Sequence, residues 1–284
     1  MGLIQFDQTR TRQPQGAQKV NYRSHLSDGL TSLILPGVGD VANNMPGLVN
    51  ASNPTTIATS GNGLAYTGAL TAVGHKFTGI NPFATSDSAG TGDFALLALA
   101  NPVAHTARSI PFGVMNGATL PVAYLSFNGT DTDTNSSGRL AFYVNDGAHR
   151  GVNTNSTSVI NGDWHMFAVV RRRAVYEIYV DGLSYAVTTA TGGGTASIYN
   201  RNCNLHVGGY ESTGYGLNGS SLAFAAAYAR APSAEEIALL SRNPWHLFAP
   251  RRIWVPVSAA SGAPTLAAIA ASNLTASGAR LTVT

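Results

Sequence analysis

The feature that most constrains the fold is a pair of strand-like runs between residues 162 and 182. Residues 164–170 (WHMFAVV) and 175–180 (VYEIYV) are rich in β-branched and aromatic side chains, the composition of strands. The basic run Arg171, Arg172 and Arg173 lies between them. Asp181-Gly182 is a turn dipeptide that leads into a further run at 183–188. Together these residues predict a hairpin and a third strand.

The rest of the middle of the chain continues in kind. Residues 30–36 predict a first strand, and the Gly/Asn-rich stretch to residue 74 predicts loops and short strands. Residues 93–102 (DFALLALANP) form an apolar run of strand length that ends in the turn Asn101-Pro102. Residues 109–115 are another candidate strand. Residues 120–128 and 139–145 alternate well and flank the polar loop 129–138, so they predict a hairpin with a long tip. Residues 205–209 and 220–228 complete the set. One helix stands out: Ser233 and Glu236 make a Ser-x-x-Glu capping box after Pro232, Ile237, Leu239 and Leu240 give a short apolar stripe, and Pro244 ends the element.

Composition agrees with a packed all-β chain. Hydrophobic residues make up 44% and charged residues 11% of the 284, the opposite of a disordered balance. The 31 glycines, with many Thr, Ser and Asn, fit short strands joined by frequent turns. The single cysteine, Cys203, excludes an internal disulfide and a multi-cysteine zinc site. Residues 1–6 are too short for a signal peptide, and no apolar run of about 18 residues occurs. The expectation is synthesis in the cytosol and no membrane span. A net charge of +3 is too small to indicate nucleic-acid binding.

The flanks differ from the middle. Arg10, Arg12, Lys19 and Arg23 face only Asp7 in the first 25 residues, and Arg242, Arg251 and Arg252 cluster near the other end. Residues 1–24 show no sustained period and predict an extended arm outside the packed core. Residues 25–248 are the predicted sandwich. Residues 249–284 predict a linker followed by short strands, too little for an independent domain. Such strands belong either to the start of a small immunoglobulin-like module or to an edge that pairs with a neighbour. A polar arm orders only where contacts offset its lost entropy, so both flanks point to a partner surface. Trp245, Phe248 and Trp254, beside Arg251 and Arg252, have the composition of interface anchors; self-packing of this tail on its own domain is the alternative. Arg10 and Arg12 join them as expected contacts.

The motifs GDWHMFAVV at 162–170 and YEIYVDG at 176–182 resemble the central hairpin of laminin-G-like domains. LNGSSLAF at 217–224, followed by APSAEEI at 231–237, resembles that family's last core strand and closing helix. The resemblance implies a concanavalin-type (laminin-G-like) jelly-roll β-sandwich with one short C-terminal helix and extended terminal arms. A narrower resemblance joins NPWHLFAPRRIWVPV at 243–257 and TRQPQG at 11–16 to proteins of tailed bacteriophages and prophages. It implies a virion protein, made in the host cytoplasm, and transfers no catalytic residue.

Laminarinase-type glycosidases on this fold carry Glu-x-Asp-x-Glu on one strand. Glu177, Tyr179 and Asp181 are the nearest match, with Tyr in the middle place and Asp181 in a turn. A retaining pair needs two carboxyl groups about 5–5.5 Å apart and one raised pKa, so this strand reads as structural. Asp131, Asp133 and Asn135 alternate in the 129–138 loop and offer hard oxygen ligands for calcium, without an acidic residue at the distal position. No close His pair, phosphate-binding loop or nucleophile elbow occurs, and His165 reads as a satisfied sheet residue. Tyr210, Tyr215 and Asn218, near Glu211, are the residues expected in any sugar-binding loop.

The resulting expectation is a non-enzymatic structural protein of a phage particle, a capsid decoration or tail accessory, likewise expected to be a homo-oligomer and to contact the major capsid protein or a tail protein through its arms. No cofactor is expected except calcium. The alternative is a glycan-binding module that attaches to the bacterial surface.

Overall fold

The computed structural model describes residues 2–6, 20–21, 23–34, 55–58, 73–77, 92–103, 109–116, 120–127, 139–145, 149–154, 159–173, 175–191, 204–209, 217, 219–248, 252–255 and 281–282. In chain order the strands are β1 (Gly2–Phe6), β2 (Leu30–Ile34), β3 (Thr55–Ala58), β4 (Val73–Phe77), β5 (Phe94–Asn101), β6 (Ser109–Asn116), β7 (Leu120–Phe127), β8 (Leu140–Asn145) and β9 (His149–Thr154). They continue with β10 (His165–Arg172), β11 (Val175–Val180), β12 (Leu183–Tyr185), β13 (Val187–Thr191), β14 (Asn204–Val207), β15 (Ser221–Tyr228), β16 (Arg252–Val255) and β17 (Leu281–Thr282). One α-helix, α1 (Ala234–Arg242), follows β15.

Two antiparallel sheets make the sandwich. A six-stranded sheet runs β12-β11-β10-β5-β15-β2, and an eight-stranded sheet runs β13-β9-β8-β7-β6-β14-β4-β3. Alternate residues of each sheet face inward. Leu96, Ala98, Phe167, Val169 and Ile178 from the first sheet meet Phe112, Leu125, Phe127 and Phe142 from the second in one buried core. The Phe127 and Phe167 rings lie 4.9 Å apart across it.

The six-stranded sheet is buried on its other face as well. Leu97, Leu99, Met166, Ala168, Phe224 and Tyr228 pack beneath Ile237 and Leu240 of α1 and beneath Trp245, Leu247 and Phe248. Burial on both sides explains why 94–100 and 222–228 read as continuous apolar runs rather than alternating ones. Gly182, at φ +83, lies under the helix; a Cβ there would come within 2.9 Å of Ala238 Cα.

The capping box forms as predicted. Ser233 Oγ accepts from Glu236 N (3.2 Å), and Ser233 N donates to Glu236 Oε2 (2.7 Å). Glu236 also takes a two-pronged ion pair from Arg230, at 2.7 Å from each terminal nitrogen. Arg230 Nε donates to the Asp28 carbonyl (2.5 Å), and Tyr228 Oη donates to the Leu26 carbonyl (2.9 Å). The helix is thereby tied to the turn at His25–Ser27. Partial burial raises the Glu236 pKa, but the bonds from Arg230 and Ser233 outweigh it and hold this carboxyl below its usual range.

Three differences from expectation appear. The predicted single run 183–188 is two strands: β12 ends the six-stranded sheet and β13 starts the edge of the eight-stranded one, so the chain crosses between sheets at Ala186. The N-terminal segment is not wholly outside the core. Val20 is buried, bridges to Phe248, and its neighbour Asn21 donates to Leu247 O (2.7 Å). The two flanks also pair with each other, in a three-stranded sheet β16-β1-β17 with Leu3 opposite Trp254.

Trp245 requires a correction. It is not an exposed anchor: the indole is 1% exposed and packs edge-on to Phe224, with ring centroids 6.1 Å apart. A 3-10 turn at Pro244–Leu247, capped by Asn243, folds it inward. Trp245→Ala is therefore expected to cost about 3–5 kcal/mol in urea unfolding; a loss below about 1 kcal/mol would place this ring outside the core. The Arg230–Glu236 pair gives a pH test. Because the folded carboxyl is depressed, its stabilisation is present above the ordinary Glu range, about 4.3, and is lost as pH falls through the folded value. The stability gap between wild type and Glu236→Gln should shrink steadily on acidification below that range.

Candidate functional site

The strand registers gather many loops at one end of the sandwich. In the six-stranded sheet, the end of β5 lies beside the starts of β10 and β15, with His165 opposite Ala100 and Ser221 opposite Asn101. The β11–β12 turn adjoins them, since Val180 pairs with both Phe167 and Leu183. In the eight-stranded sheet, the start of β6, the end of β7 and the start of β8 are level, through Ser109, Phe127 and Leu140. The Phe127–Phe167 contact brings the two sheets' ends together.

The segment Asn161–Trp164 enters β10 at this end. Val159 is buried in the core and Ile160 packs against it, which anchors the approach. Asn161 folds into an Asx turn: its Oδ1 accepts from Asp163 N (2.8 Å), and its Nδ2 donates to Asp163 Oδ2 (3.0 Å). Gly162, at φ +85, donates its N–H to Pro102 O (2.9 Å), and its carbonyl accepts from Asn101 Nδ2. A hydrogen-bonded side-chain chain then crosses to the next turn. His165 Nε2 meets Asn161 Oδ1 at 3.1 Å, and His165 Nδ1 meets Asp181 Oδ2 at 2.6 Å. Asp181, at φ +52, also accepts from Met166 N (3.0 Å) and donates its own N–H to Met166 O (2.8 Å). His165 is thus satisfied within the sheet end, as its sequence position suggests.

On this braced loop Trp164 is 37% exposed, unusual for an indole in a chain whose other described tryptophan side chain, Trp245, is buried. Asn161 and Asp163 are exposed beside it in sequence. An indole face offers an apolar platform to the C–H face of a ring, and the amide and carboxylate offer hydrogen bonds to hydroxyls. The loop's bracing means little order is lost on binding.

The carboxylates of the Glu177–Asp181 stretch serve structure. Glu177 accepts from Arg172 Nε (3.4 Å) and from Tyr179 Oη (2.8 Å). Burial, then the bond to Glu177, raises the Tyr179 pKa, so its hydroxyl stays a donor. Among the described residues there is no group of three His, Cys, Asp or Glu placed to hold a metal ion, and no helix long and apolar enough to cross a membrane.

Several predicted site residues lie outside the described residues: Asp131, Asp133 and Asn135, Tyr210, Tyr215 and Asn218, and Arg10, Arg12 and Arg251. The strand ends that bound 128–138 lie at the Trp164 end of the sandwich. So does Ser220, whose Oγ accepts from Val103 N (3.0 Å) where 210–218 leads into β15. Arg252 and Trp254 occupy β16, opposite Gln5 and Leu3. The Trp164 loop itself was not singled out as a site in the sequence; the turn Asn-Gly-Asp directly before an aromatic strand start was the available signal.

Residues 82–238 match the Concanavalin A-like lectin/glucanases superfamily, more than half of the chain. The chain belongs to that superfamily. Its fold is similar to that of solved binding domains, among them two that follow. One is the receptor binding domain of botulinum neurotoxin D, with a TM-score of 0.52, 9% identity, and coverage of 77% of this chain and 54% of that one. The other is the botulinum neurotoxin serotype D binding domain, with a TM-score of 0.51, 10% identity, and coverage of 77% and 51%. This superfamily chain spans about half the length of those structures, and at such identities the likeness concerns the fold. No curated protein sequence matches it.

Proposed function

We propose that this chain is a non-catalytic glycan-binding module that takes a sugar at the loop end of the sandwich, against the face of Trp164. The observation that carries the reading is the exposed indole on a loop braced by Asn101, His165 and Asp181, with Asn161 and Asp163 exposed beside it. Membership of a lectin-containing superfamily supports it. So does the similarity to domains described as receptor-binding. The structural use of Glu177 and Asp181 favours binding over hydrolysis.

A second reading, a structural protein of a tailed-phage particle, draws on the phage-like segment 243–257 and on the pairing of the two flanks. That pairing joins β16, from this segment, to β1 in a sheet separate from the two of the sandwich. The readings are compatible, since a particle protein can also carry a sugar site.

On an array of bacterial polysaccharides the protein is expected to bind, and Trp164→Ala to weaken binding about tenfold or more, roughly 1.4 kcal/mol, in a variant that still unfolds cooperatively. A silent array, or equal binding by the variant, would count against the sugar site. For the particle reading, removal of residues 1–19, which spares the buried Val20 and the Asn21–Leu247 bond, should lower incorporation into assembled particles; full occupancy would contradict it.

A further inference from the structure

We infer that Asn161–Gly162 is a modification site, a succinimide-forming pair that the fold holds unreacted, and that its conversion to aspartate or isoaspartate releases the Trp164 loop. That the fold holds the pair is read from hydrogen-bond geometry alone; the loss of sugar capture on release rests on the glycan reading.

The chemistry needs a backbone nitrogen that can reach the side-chain carbonyl carbon of the residue before it. Glycine leaves that nitrogen least crowded, because it has no Cβ. Here the surroundings add no obstacle. Asn161 is exposed, and a Cβ added at Gly162 would meet nothing within 4 Å. Gly162 N bonds to Asn161 Cγ, the Cγ–Nδ2 bond breaks, and ammonia leaves with the proton that the Gly162 nitrogen gives up. Water then adds across one C–N bond of the imide. Opening at Cγ gives an aspartate, and opening at the backbone carbonyl gives an isoaspartate whose chain runs through Cβ and Cγ.

Since space does not hold the pair back, hydrogen bonds do. The nitrogen must lose its proton, and that N–H donates to Pro102 O at 2.9 Å. The amide nitrogen must depart, and Asn161 Nδ2 donates to Asp163 Oδ2 at 3.0 Å. The carbonyl half is held as well: Oδ1 accepts from Asp163 N at 2.8 Å and lies 3.1 Å from His165 Nε2. Val159 and Ile160, just before the pair, are anchored in the core. The pair therefore reacts from the opened loop, and its rate is the unfolded-chain rate scaled by the open fraction.

The consequence is one-way. After conversion to aspartate, an oxygen stands where Nδ2 stood, opposite the Asp163 carboxylate. Both groups then only accept, and both are charged, so a hydrogen bond becomes a repulsion. After conversion to isoaspartate, the side-chain amide is gone and the backbone is longer by one carbon, so the Asx turn cannot form at all. Either product removes the turn that leads into Trp164, and the indole loses its fixed attitude.

The test incubates the intact chain at pH 8, folded and in urea, and follows each Asn-Gly peptide by mass spectrometry after digestion. Asn62, Asn116, Asn128 and Asn218 also precede glycine, so they serve as clocks in the same sample. In urea Asn161 should convert as fast as those four. In the folded chain it should convert at least about tenfold more slowly than in urea. Asp163→Ala takes away the acceptor of the departing amide and keeps the backbone donor, and should raise the folded rate several-fold. Asn161→Asp, which supplies one product directly, should speed hydrogen exchange at 161–165 and weaken binding to the best polysaccharide on the array about tenfold. Equal rates folded and in urea, a folded rate unmoved by Asp163→Ala, or exchange unmoved by Asn161→Asp each overturns the inference. Faster exchange with undiminished binding overturns its functional half. A silent array for the wild type, with the rates and exchange as expected, would instead overturn the glycan reading and leave the modification site standing.

Discussion

The central strands β5, β10 and β15 of the six-stranded sheet are closed on both faces, and most of the described structure is arranged to keep them so. Its inner face is covered by the eight-stranded sheet, through Phe112, Phe127 and Phe142. Its outer face is covered by α1, by the turn that carries Trp245, and by Val20 and Leu26 from before β2. Burial at roughly 25 cal/mol per Å² of apolar surface is the favourable term here, and polar devices serve mainly to aim it. The capping box starts the helix where it must lie, Arg230 ties that start to the segment before β2, and Gly182 lets Ala238 come close to the β11–β12 turn.

Those closed strands give the binding end its rigidity. The β11–β12 turn is pinned from above by the helix and from beside by His165, and the Asn161–Trp164 loop is pinned in turn by that same histidine. A loop on such a frame presents its indole in a fixed attitude. The connection runs from the apolar runs of β5, β10 and β15, through helix packing, to the posture of one exposed ring.

Much of this was legible in the residues because it is local. The hairpin at 164–182 and the capping box at Ser233 depend on neighbours in sequence, and both formed where predicted. What escaped depends on distance or on burial. Strand β9 (HRGVNT) is polar and holds a glycine, yet Val152 faces the core. The pairing of Gly2 with Val255 joins opposite ends of the chain, which no local pattern encodes. Trp245 and Trp164 are both amphipathic rings near polar residues, so composition does not separate core from anchor. A 3-10 turn buries the first, and a position one residue before the β10 ladder leaves the second exposed. The expected sugar and calcium residues fall outside the described ones, though the strand ends around them lie at the Trp164 end.

The claim that a sugar binds at this end, and not across the outer face of the eight-stranded sheet where Tyr124 and Tyr143 stack at 4.8 Å, is open to direct mapping. Hydrogen exchange of the intact chain, with and without a saturating polysaccharide ligand, reads both surfaces at once. The expected result is added protection at 159–165 and 181–183, with the amides of β7, β8 and β9 unchanged. Protection confined to those three strands, with the Trp164 loop unaltered, would contradict it.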